Sequence, residues 1–282
     1  MYRGELARIE WVFFDAGETL VSPRPSFAKA IVQICREAGV HLDEDRAEEV
    51  ADRCFKEFLD LLARFDEDRL FSTSPEKSRR FWTRYYTEFL LRMGIHQTVA
   101  RDLGDHLYDE LSNFERYGVF EDVKPVLERL DDAGLQMGVI SNWEPWLDEL
   151  LDYLGIGRYL RVRVISGKEG VEKPDPAMYE RALLRAQTLP ELSLHVGDDP
   201  RADGEPASGL GMSFVLVDRR GRHQETRWPK ISSLLQLLEF LQIDFAHQNV
   251  KEGILPGSVP GEIEHSAGGS ISDAASFPDG KR

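Results

Sequence analysis

The feature of this sequence that most restricts its fold is an alternation of short apolar runs and longer amphipathic segments after residue 114. The strand-like runs are residues 135–140, 162–165, 192–196 and 213–217. The helix-like segments lie near residues 122–133, 143–154, 175–186 and 203–210. Strands that alternate with helices imply right-handed crossovers and a mostly parallel sheet. The sequence therefore predicts an α/β fold built on a doubly wound, mostly parallel sheet.

One further strand-like run, residues 9–14, is separated from the others by a long segment of a different kind. In residues 26–112 the apolar positions recur at helical spacing, and no stretch has the pattern of a strand. We therefore predict a core made of residues 1–21 and 115–245, with an all-helical cap, residues 22–114, inserted after the first strand.

The end of the chain differs from both parts. After a last predicted helix at residues 231–241, Gly, Ser and Pro fill 14 of the 37 positions of residues 246–282. Such a segment buries too little apolar surface to offset its ordering entropy. The sequence predicts a disordered C-terminal tail.

Composition restricts the partners and the compartment. The formal charge of −15 disfavours nucleic acids and anionic membranes, which need a basic surface, but allows a small phosphorylated substrate at a locally positive site. The N-terminus has no apolar signal segment, and Cys35 and Cys54 lie in helical segments away from any metal-ligand pattern. A cytoplasmic protein, either a monomer or a dimer, is expected.

Polar residues follow the first four predicted strands, where ligands bind in open parallel sheets. They are Asp15, Gly17 and Thr19 after the first strand, Ser141 and Asn142 after the second, Lys173 after the third, and Asp198, Asp199 and Asp203 after the fourth. Each group alone is a weak signal, since Gly-Asp-Asp after a strand is also typical of a helix N-cap. All four groups in order predict a catalytic site.

The carboxylates in this set suit phosphoryl transfer assisted by magnesium. Asp15 supplies the nucleophile for a covalent aspartyl-phosphate. A hard cation must lie between this carboxylate and an anionic phosphate, and Mg²⁺ prefers oxygen ligands. Asp15, Asp198 and the backbone carbonyl of Gly17 are the predicted ligands, with Asp199 or Asp203 in support.

The remaining polar residues suit the phosphate itself. Lys173 offers a positive charge to the phosphoryl oxygens, and Ser141 offers a hydrogen bond as charge spreads in the transition state. Asn142 is a further candidate for phosphate binding, and Thr19 is a candidate supporting residue.

The four segments resemble the four sequence motifs of the haloacid dehalogenase superfamily, and the resemblance covers nearly all of residues 9–220. The motif segments are most similar to the subgroup of the haloacid-dehalogenase-like hydrolase domain-containing protein 3. The resemblance implies that Asp15 is the nucleophile, that Ser141 and Lys173 bind phosphate, and that Asp198 binds magnesium. It also implies a helical cap between the first two motifs.

One position departs from the motifs. Phosphatases of this superfamily usually carry a second Asp two residues after the nucleophile, as general acid and base, and here that position is Gly17. General acid–base catalysis contributes roughly 10²–10⁴ in rate. The hypotheses are a slow phosphatase, an acid supplied by Glu18 or the cap, an impaired binding protein, or a carbon–halogen hydrolase. The acidic Asp198, Asp199 and Asp203 favour a metal-dependent phosphatase over the dehalogenases, which work without metal.

Two other residues near the motifs have open roles. His195 lies within the fourth predicted strand, where a histidine with satisfied hydrogen bonds is expected. Trp143 follows Asn142, and it either lines the site or packs on the cap.

Overall fold

A six-stranded parallel sheet forms the centre of the structure, a computed structural model that describes residues 9–62 and 70–243. The strands are β1 (Trp11–Phe14), β2 (Val21–Pro23), β3 (Tyr117–Val119), β4 (Gln136–Ser141), β5 (Leu160–Ile165), β6 (Ser193–Gly197), β7 (Ser213–Val217) and β8 (Lys230–Ile231). The helices are α1 (Phe27–Glu37), α2 (Glu44–Leu62), α3 (Pro75–Arg92), α4 (Gln97–Leu111), α5 (Val123–Asp132), α6 (Leu147–Tyr153), α7 (Ser166–Glu169), α8 (Ala177–Ala186), α9 (Glu205–Gly209) and α10 (Leu235–Phe240).

The order of the strands sets the place of the site. In the sheet the order is β5-β4-β1-β6-β7-β8, and each neighbouring pair is parallel. The chain moves outward from β1 through β4 to β5, and then crosses to β6 on the other side of β1. The order therefore reverses beside β1, where Phe14 is paired with both Val139 and Val196. Ligands bind at such a switch point, and the predicted doubly wound α/β fold is confirmed.

Helices cover both faces of this sheet. Successive strand side chains point to opposite faces, so Val12 and Phe14 pack in one cluster with apolar residues of α5, α6 and α10. Phe13 packs in another, with Met178 and Tyr179 of α8. Both faces of β1 are buried, which explains its continuous apolar run.

The helices α1 to α4 lie between β2 and β3, which pair with each other antiparallel. Ser26 caps α1 and Ser74 caps α3, whose first residue is Pro75. These helices share a separate buried cluster that contains four aromatic side chains of α3: Phe81, Tyr85, Tyr86 and Phe89. We call α1 to α4 and their connections the helical insertion. Its predicted boundaries, and its role as a cap, stay predictions.

Some details of the fold differ from the sequence-based expectations. The short pair β2 and β3 was not expected, and the predicted helix at 231–241 begins only at Leu235. Ile231 instead pairs with Val217 as part of an edge strand, and the Ser233 hydroxyl accepts a hydrogen bond from the Leu235 N–H at the start of α10. The predicted tail, residues 246–282, lies outside the described residues. Among the described helices, none has the length and apolar character needed to cross a membrane.

Candidate active site

Three of the predicted residues meet at the carboxyl edge of the sheet. Asp15 directly follows β1, Ser141 is the last residue of β4, and Lys173 lies in the loop after α7. The Oδ1 atom of Asp15 accepts hydrogen bonds from Ser141 Oγ at 3.1 Å and from Lys173 Nζ at 2.6 Å. Lys173 Nζ also donates to Asp203 Oδ1 at 2.6 Å. The lysine therefore bridges two carboxylates on neighbouring strand ends.

Asp198 joins this group and completes a cluster of carboxylates. Asp15, Asp198 and Asp203 each offer one oxygen, and these oxygens lie within 4.8 Å of one another. With all groups ionised, the three carboxylates outnumber the one ammonium of Lys173 by two charges. Oxygen donors with an excess negative charge fit a hard divalent cation such as Mg²⁺. The Gly17 carbonyl as a further ligand stays a prediction.

The pKa directions in this cluster follow from burial and from charge. Burial raises the pKa of Asp198 well above its usual range, and the charges of Asp15 and Asp203 raise it further. Burial would also raise the pKa of Asp203, but the charge of Lys173 and the hydrogen bond from His195 outweigh it and lower that pKa. A bound cation would relieve the repulsion at Asp198.

Asn142 holds the backbone of the lysine loop. Its Oδ1 accepts from the Lys173 N–H at 2.7 Å, and its Nδ2 donates to the Lys173 carbonyl at 2.9 Å. These two bonds use both ends of the amide, so Asn142 fixes the place from which the Lys173 side chain starts. Its predicted contact with phosphate stays a prediction.

The loop after Asp15 is closed by an aromatic ring. A Cβ added at Gly17 would lie 3.4 Å from Trp143 Cζ3, so Trp143 lies beside the loop that follows Asp15. The next residue, Glu18, has a φ of 53°. Its Oε1 accepts from Ser22 Oγ at 2.7 Å, and its Oε2 pairs with Arg220 at 3.0 Å. The Glu18 carboxylate is thus held by two partners other than Asp15.

Two residues predicted to support the site have other contacts. Thr19 is fully buried, its Oγ1 has no hydrogen-bond partner among the described residues, and its carbonyl accepts from Arg219 Nη2. Asp199 is exposed, and its Oδ1 accepts from the N–H groups of Arg201 and Ala202 at 2.7 and 3.1 Å. Asp199 therefore caps the turn Pro200–Gly204, the alternative noted for this motif.

His195 has a contact that its sequence position did not indicate. The ring is fully buried, and its Nε2 lies 3.0 Å from Asp203 Oδ1. Its Nδ1 is buried and has no hydrogen-bond partner among the residues that the structure describes. The expected hydrogen bond of a strand histidine is found at Nε2 and not at Nδ1, and the only sequence signal was a polar residue in an apolar strand.

The helical insertion reaches the core through hydroxyl groups that sequence reasoning also missed. Ser72 donates its N–H and its Oγ to Glu172 Oε2, at 2.8 and 2.5 Å. Tyr108 OH and Ser78 Oγ donate to Glu144, at 3.0 and 2.6 Å. Except for Tyr108, these residues are buried. We call this set of contacts the polar seam; its two carboxylates flank the site, one beside Lys173 and one beside Trp143.

Comparisons with known proteins agree with this geometry. The family model for haloacid dehalogenase-like hydrolases matches residues 9–211. The haloacid dehalogenase-like hydrolase domain-containing protein 3 of Danio rerio is 27% identical over 213 residues, which cover 75% of this chain and 86% of the relative. The phosphoserine phosphatase of Thermus thermophilus is 25% identical over 228 residues, which cover 76% and 90%.

A solved structure extends the comparison to the fold. The 2-haloacid dehalogenase from Pseudomonas syringae is 28% identical, with a TM-score of 0.53 over 83% of this chain and 98% of that chain. The resemblance predicted from the four motifs is confirmed, as is its closeness to the domain-containing protein 3 subgroup. The chain belongs to the haloacid dehalogenase-like hydrolases.

Proposed function

We propose that this chain is a magnesium-dependent hydrolase of small phosphorylated metabolites that works through an aspartyl-phosphate on Asp15. The observation that carries the proposal is the place of Lys173 Nζ, 2.6 Å from Asp15 Oδ1 and 2.6 Å from Asp203 Oδ1. A buried ammonium beside a buried carboxylate can hold a phosphoryl group next to a nucleophile.

The reaction has two steps on this chain. In the first, a carboxylate oxygen of Asp15 attacks phosphorus, the bond to the leaving oxygen breaks, and that oxygen takes a proton from water as it departs. In the second, water attacks the acyl-phosphate, which releases phosphate and restores the Asp15 carboxylate. Lys173 and Ser141, which both contact Asp15 Oδ1, stabilise the charge that spreads over the phosphoryl oxygens.

Magnesium supplies positive charge between the two anions when bound. Asp15, Asp198 and the Gly17 carbonyl are the proposed ligands. Asp203 accepts from Lys173, His195 and the Asp199 N–H, so we assign it to the support of Lys173.

This site lacks the usual acid that would protonate the leaving group. Gly17 stands where a phosphatase of this superfamily usually has its acid, and the Glu18 carboxylate is bound by Ser22 and Arg220. We therefore propose slow turnover and a preference for leaving groups that need little protonation. The acidic chain and the small-molecule substrate of the phosphoserine phosphatase relative support a soluble metabolite in the cytoplasm as the partner.

Carbon–halogen hydrolysis is the second candidate function. The 28% identity to a structure titled 2-haloacid dehalogenase favours it, and Gly17 is compatible with it because no leaving-group acid is needed. The excess of carboxylates at Asp15, Asp198 and Asp203 argues for the metal-dependent reaction. An impaired protein that only binds its ligand is the third candidate, and Gly17 is its support.

The test is phosphate release from a panel of metabolite phosphates and aryl phosphates, with and without Mg²⁺, beside chloride release from chloroacetate. Magnesium-dependent phosphate release that Asp15→Asn abolishes is the expected result. The control is Asp132→Asn, which changes an exposed carboxylate of α5. Chloride release without metal would favour the dehalogenase, and neither activity would favour the binding protein.

A further inference from the structure

His195 is a polar residue at a position where burial is unfavourable for a polar side chain. It lies in the middle of β6, in register with Phe13 and Phe214 of the neighbouring strands. The ring of Tyr179 meets it edge-on at 5.1 Å, and the ring of Phe214 stacks on it at 6.0 Å. A polar ring in such apolar surroundings costs free energy unless its nitrogens are bonded, and within residues 9–62 and 70–243 no group bonds to Nδ1. An apolar side chain would fill the same space without that cost.

The side chain of His195 makes a polar contact with a residue of the candidate site. Its Nε2 lies 3.0 Å from Asp203 Oδ1, and because a carboxylate only accepts, Nε2 carries the hydrogen. The same Oδ1 accepts from Lys173 Nζ, and the Asp199 N–H donates to Oδ2 at 3.1 Å. Three donors therefore fix the Asp203 carboxylate.

Asp203 is also held by close packing. A Cβ added at Gly197 would lie 2.4 Å from Asp203 Cγ, so the carboxylate lies directly on the backbone at the end of β6. Of the three donors to Asp203, the Asp199 N–H belongs to the same turn, and Lys173 ends a flexible stem. His195 is the donor that stands on the sheet itself.

We propose that His195 is a positioning residue: through Asp203 it fixes the Lys173 ammonium beside Asp15. Its effect on turnover rests on the proposed function, whereas its effect on the place of Lys173 does not. Misplacement of a reacting or binding group by about 1 Å can cost up to 10²-fold in rate. Loss of the His195 donor is therefore expected to act on turnover more than on folding.

The experiment compares two variants that lose the aromatic ring and differ in the donor. His195→Leu removes the donor, whereas His195→Gln keeps an N–H group at about the distance of Nε2. We expect kcat on the best phosphate ester to fall about 10- to 100-fold in His195→Leu, and most of it to return in His195→Gln. Equal losses in both variants would overturn the proposal.

Crystal structures of the same variants give a readout that does not depend on activity. Lys173 Nζ is expected to leave Asp15 Oδ1 in His195→Leu and to stay in His195→Gln. A lysine that stays in place in His195→Leu would overturn the proposal, even where turnover falls. A wild-type protein without phosphatase activity would contradict the proposed function, and the place of Lys173 would still decide the role of His195.

Phe214→Leu is the matched control, because it removes the ring stacked on His195 and leaves the hydrogen bonds of Asp203 in place. It is expected to lower the melting temperature and to keep Lys173 at Asp15. His195→Met is the second variant without a donor, for use where His195→Leu does not fold. A loss of turnover in Phe214→Leu as large as in His195→Leu would mean that packing alone is responsible.

Discussion

The carboxyl edge of the sheet and the helical insertion hold their buried polar groups in different ways. At the sheet edge, the charged Lys173 lies between the carboxylates of Asp15 and Asp203. In the polar seam, neutral groups such as Ser72 and Tyr108 donate to core carboxylates. The insertion brings no charge of its own to these contacts.

The hydrogen bonds in these two regions differ in strength. Hydrogen bonds with an ionised donor or acceptor are roughly twice as strong as neutral ones, and at the sheet edge both partners are charged. Each hydroxyl bond of the seam has one charged partner and contributes about 1.5–3 kcal/mol, so the seam contributes mainly to the stability of the fold. Changes at the sheet edge should therefore act on turnover, and changes in the seam should act mainly on stability.

The largest effect is expected from Asp15→Asn, which removes the proposed nucleophile. Turnover should be abolished, while the free energy of unfolding changes by no more than about 1 kcal/mol. The stability change is small because burial already raises the pKa of Asp15 and disfavours its charge, against the opposing pull of Lys173. Initial rates and thermal melts measure both. Residual turnover above about a tenth of wild type would exclude Asp15 as the nucleophile.

The second prediction concerns Gly17→Asp, which places a carboxylic acid in the loop after Asp15, at the position where phosphatases of this superfamily usually have one. Gly17→Asp should raise turnover on alkyl phosphates by up to roughly 10²–10⁴, and much less on aryl phosphates. Gly17 has no positive φ, so its backbone accepts a side chain. Trp143, 3.4 Å from the added Cβ, limits where the carboxylate can point.

Glu18→Gln is the control for this variant, because its carboxylate is bound by Ser22 and Arg220. It should leave the ratio of alkyl to aryl turnover unchanged. If Gly17→Asp folds, binds magnesium and alters neither substrate class, protonation of the leaving group does not limit the reaction.

Magnesium should raise the melting temperature, because a ligand of the folded state stabilises it by mass action. At a concentration of about 100 Kd the gain is about 2.7 kcal/mol. Asp198→Ala should remove the shift, since Asp198 belongs to the carboxylate cluster. Asp132→Asn should keep it. An equal shift in Asp198→Ala would point to magnesium bound elsewhere.

In the polar seam, Ser72→Ala should lower the free energy of unfolding by about 1–2 kcal/mol. The variant removes one of the two Ser72 donors from the buried Glu172 carboxylate. Turnover should change by less than about tenfold, because no group at Asp15 is touched. Thr73→Ala, which changes a half-buried neighbour whose hydroxyl donates to the Leu70 carbonyl, is the control. A loss of turnover as large as in Asp15→Asn would end the distinction between edge and seam.

The smallest expected effect is on the pH dependence of the free energy of unfolding. Burial raises the pKa of Glu172 above its usual range, although Ser72 opposes the shift. The folded state therefore holds the proton more tightly, and the stability from this group is present at low pH and lost as pH rises through the raised pKa. Glu172→Gln should weaken that loss, by up to about 1.4 kcal/mol for each unit of the shift. Denaturant melts between pH 4 and 7 test it, and parallel curves for both proteins would contradict it.

The sheet and four of its strand ends were predictable from the sequence. Residues 213–217 match β7 as predicted, because a buried parallel strand is a continuous apolar run between turn residues. Asp15, Ser141 and Lys173 were predictable as a group, because the ends of parallel strands meet at one edge and the motifs marked those ends.

The polar seam and the role of His195 were not predictable, because they depend on contacts between residues that no local sequence pattern pairs. Ser72 and Glu172 are 100 residues apart, and no local pattern pairs a serine with one glutamate among many. The role of His195 also depends on the side to which its ring turns, towards Asp203. A strand's period gives the face of a side chain but not its polar partner.

The separation of the site residues in the chain has a consequence for biosynthesis. Asp15 contacts Ser141, which is 126 positions later in the chain, and Lys173, which is 158 positions later. The strands that flank β1 are therefore synthesised long after β1 itself. Non-local pairing of this kind slows folding and exposes unpaired strand edges. Before Lys173 is synthesised, its ammonium group cannot offset the negative charge of the Asp15 carboxylate. We therefore expect a chain that ends before Lys173 to be inactive, and the proposed activity to depend on the complete sheet.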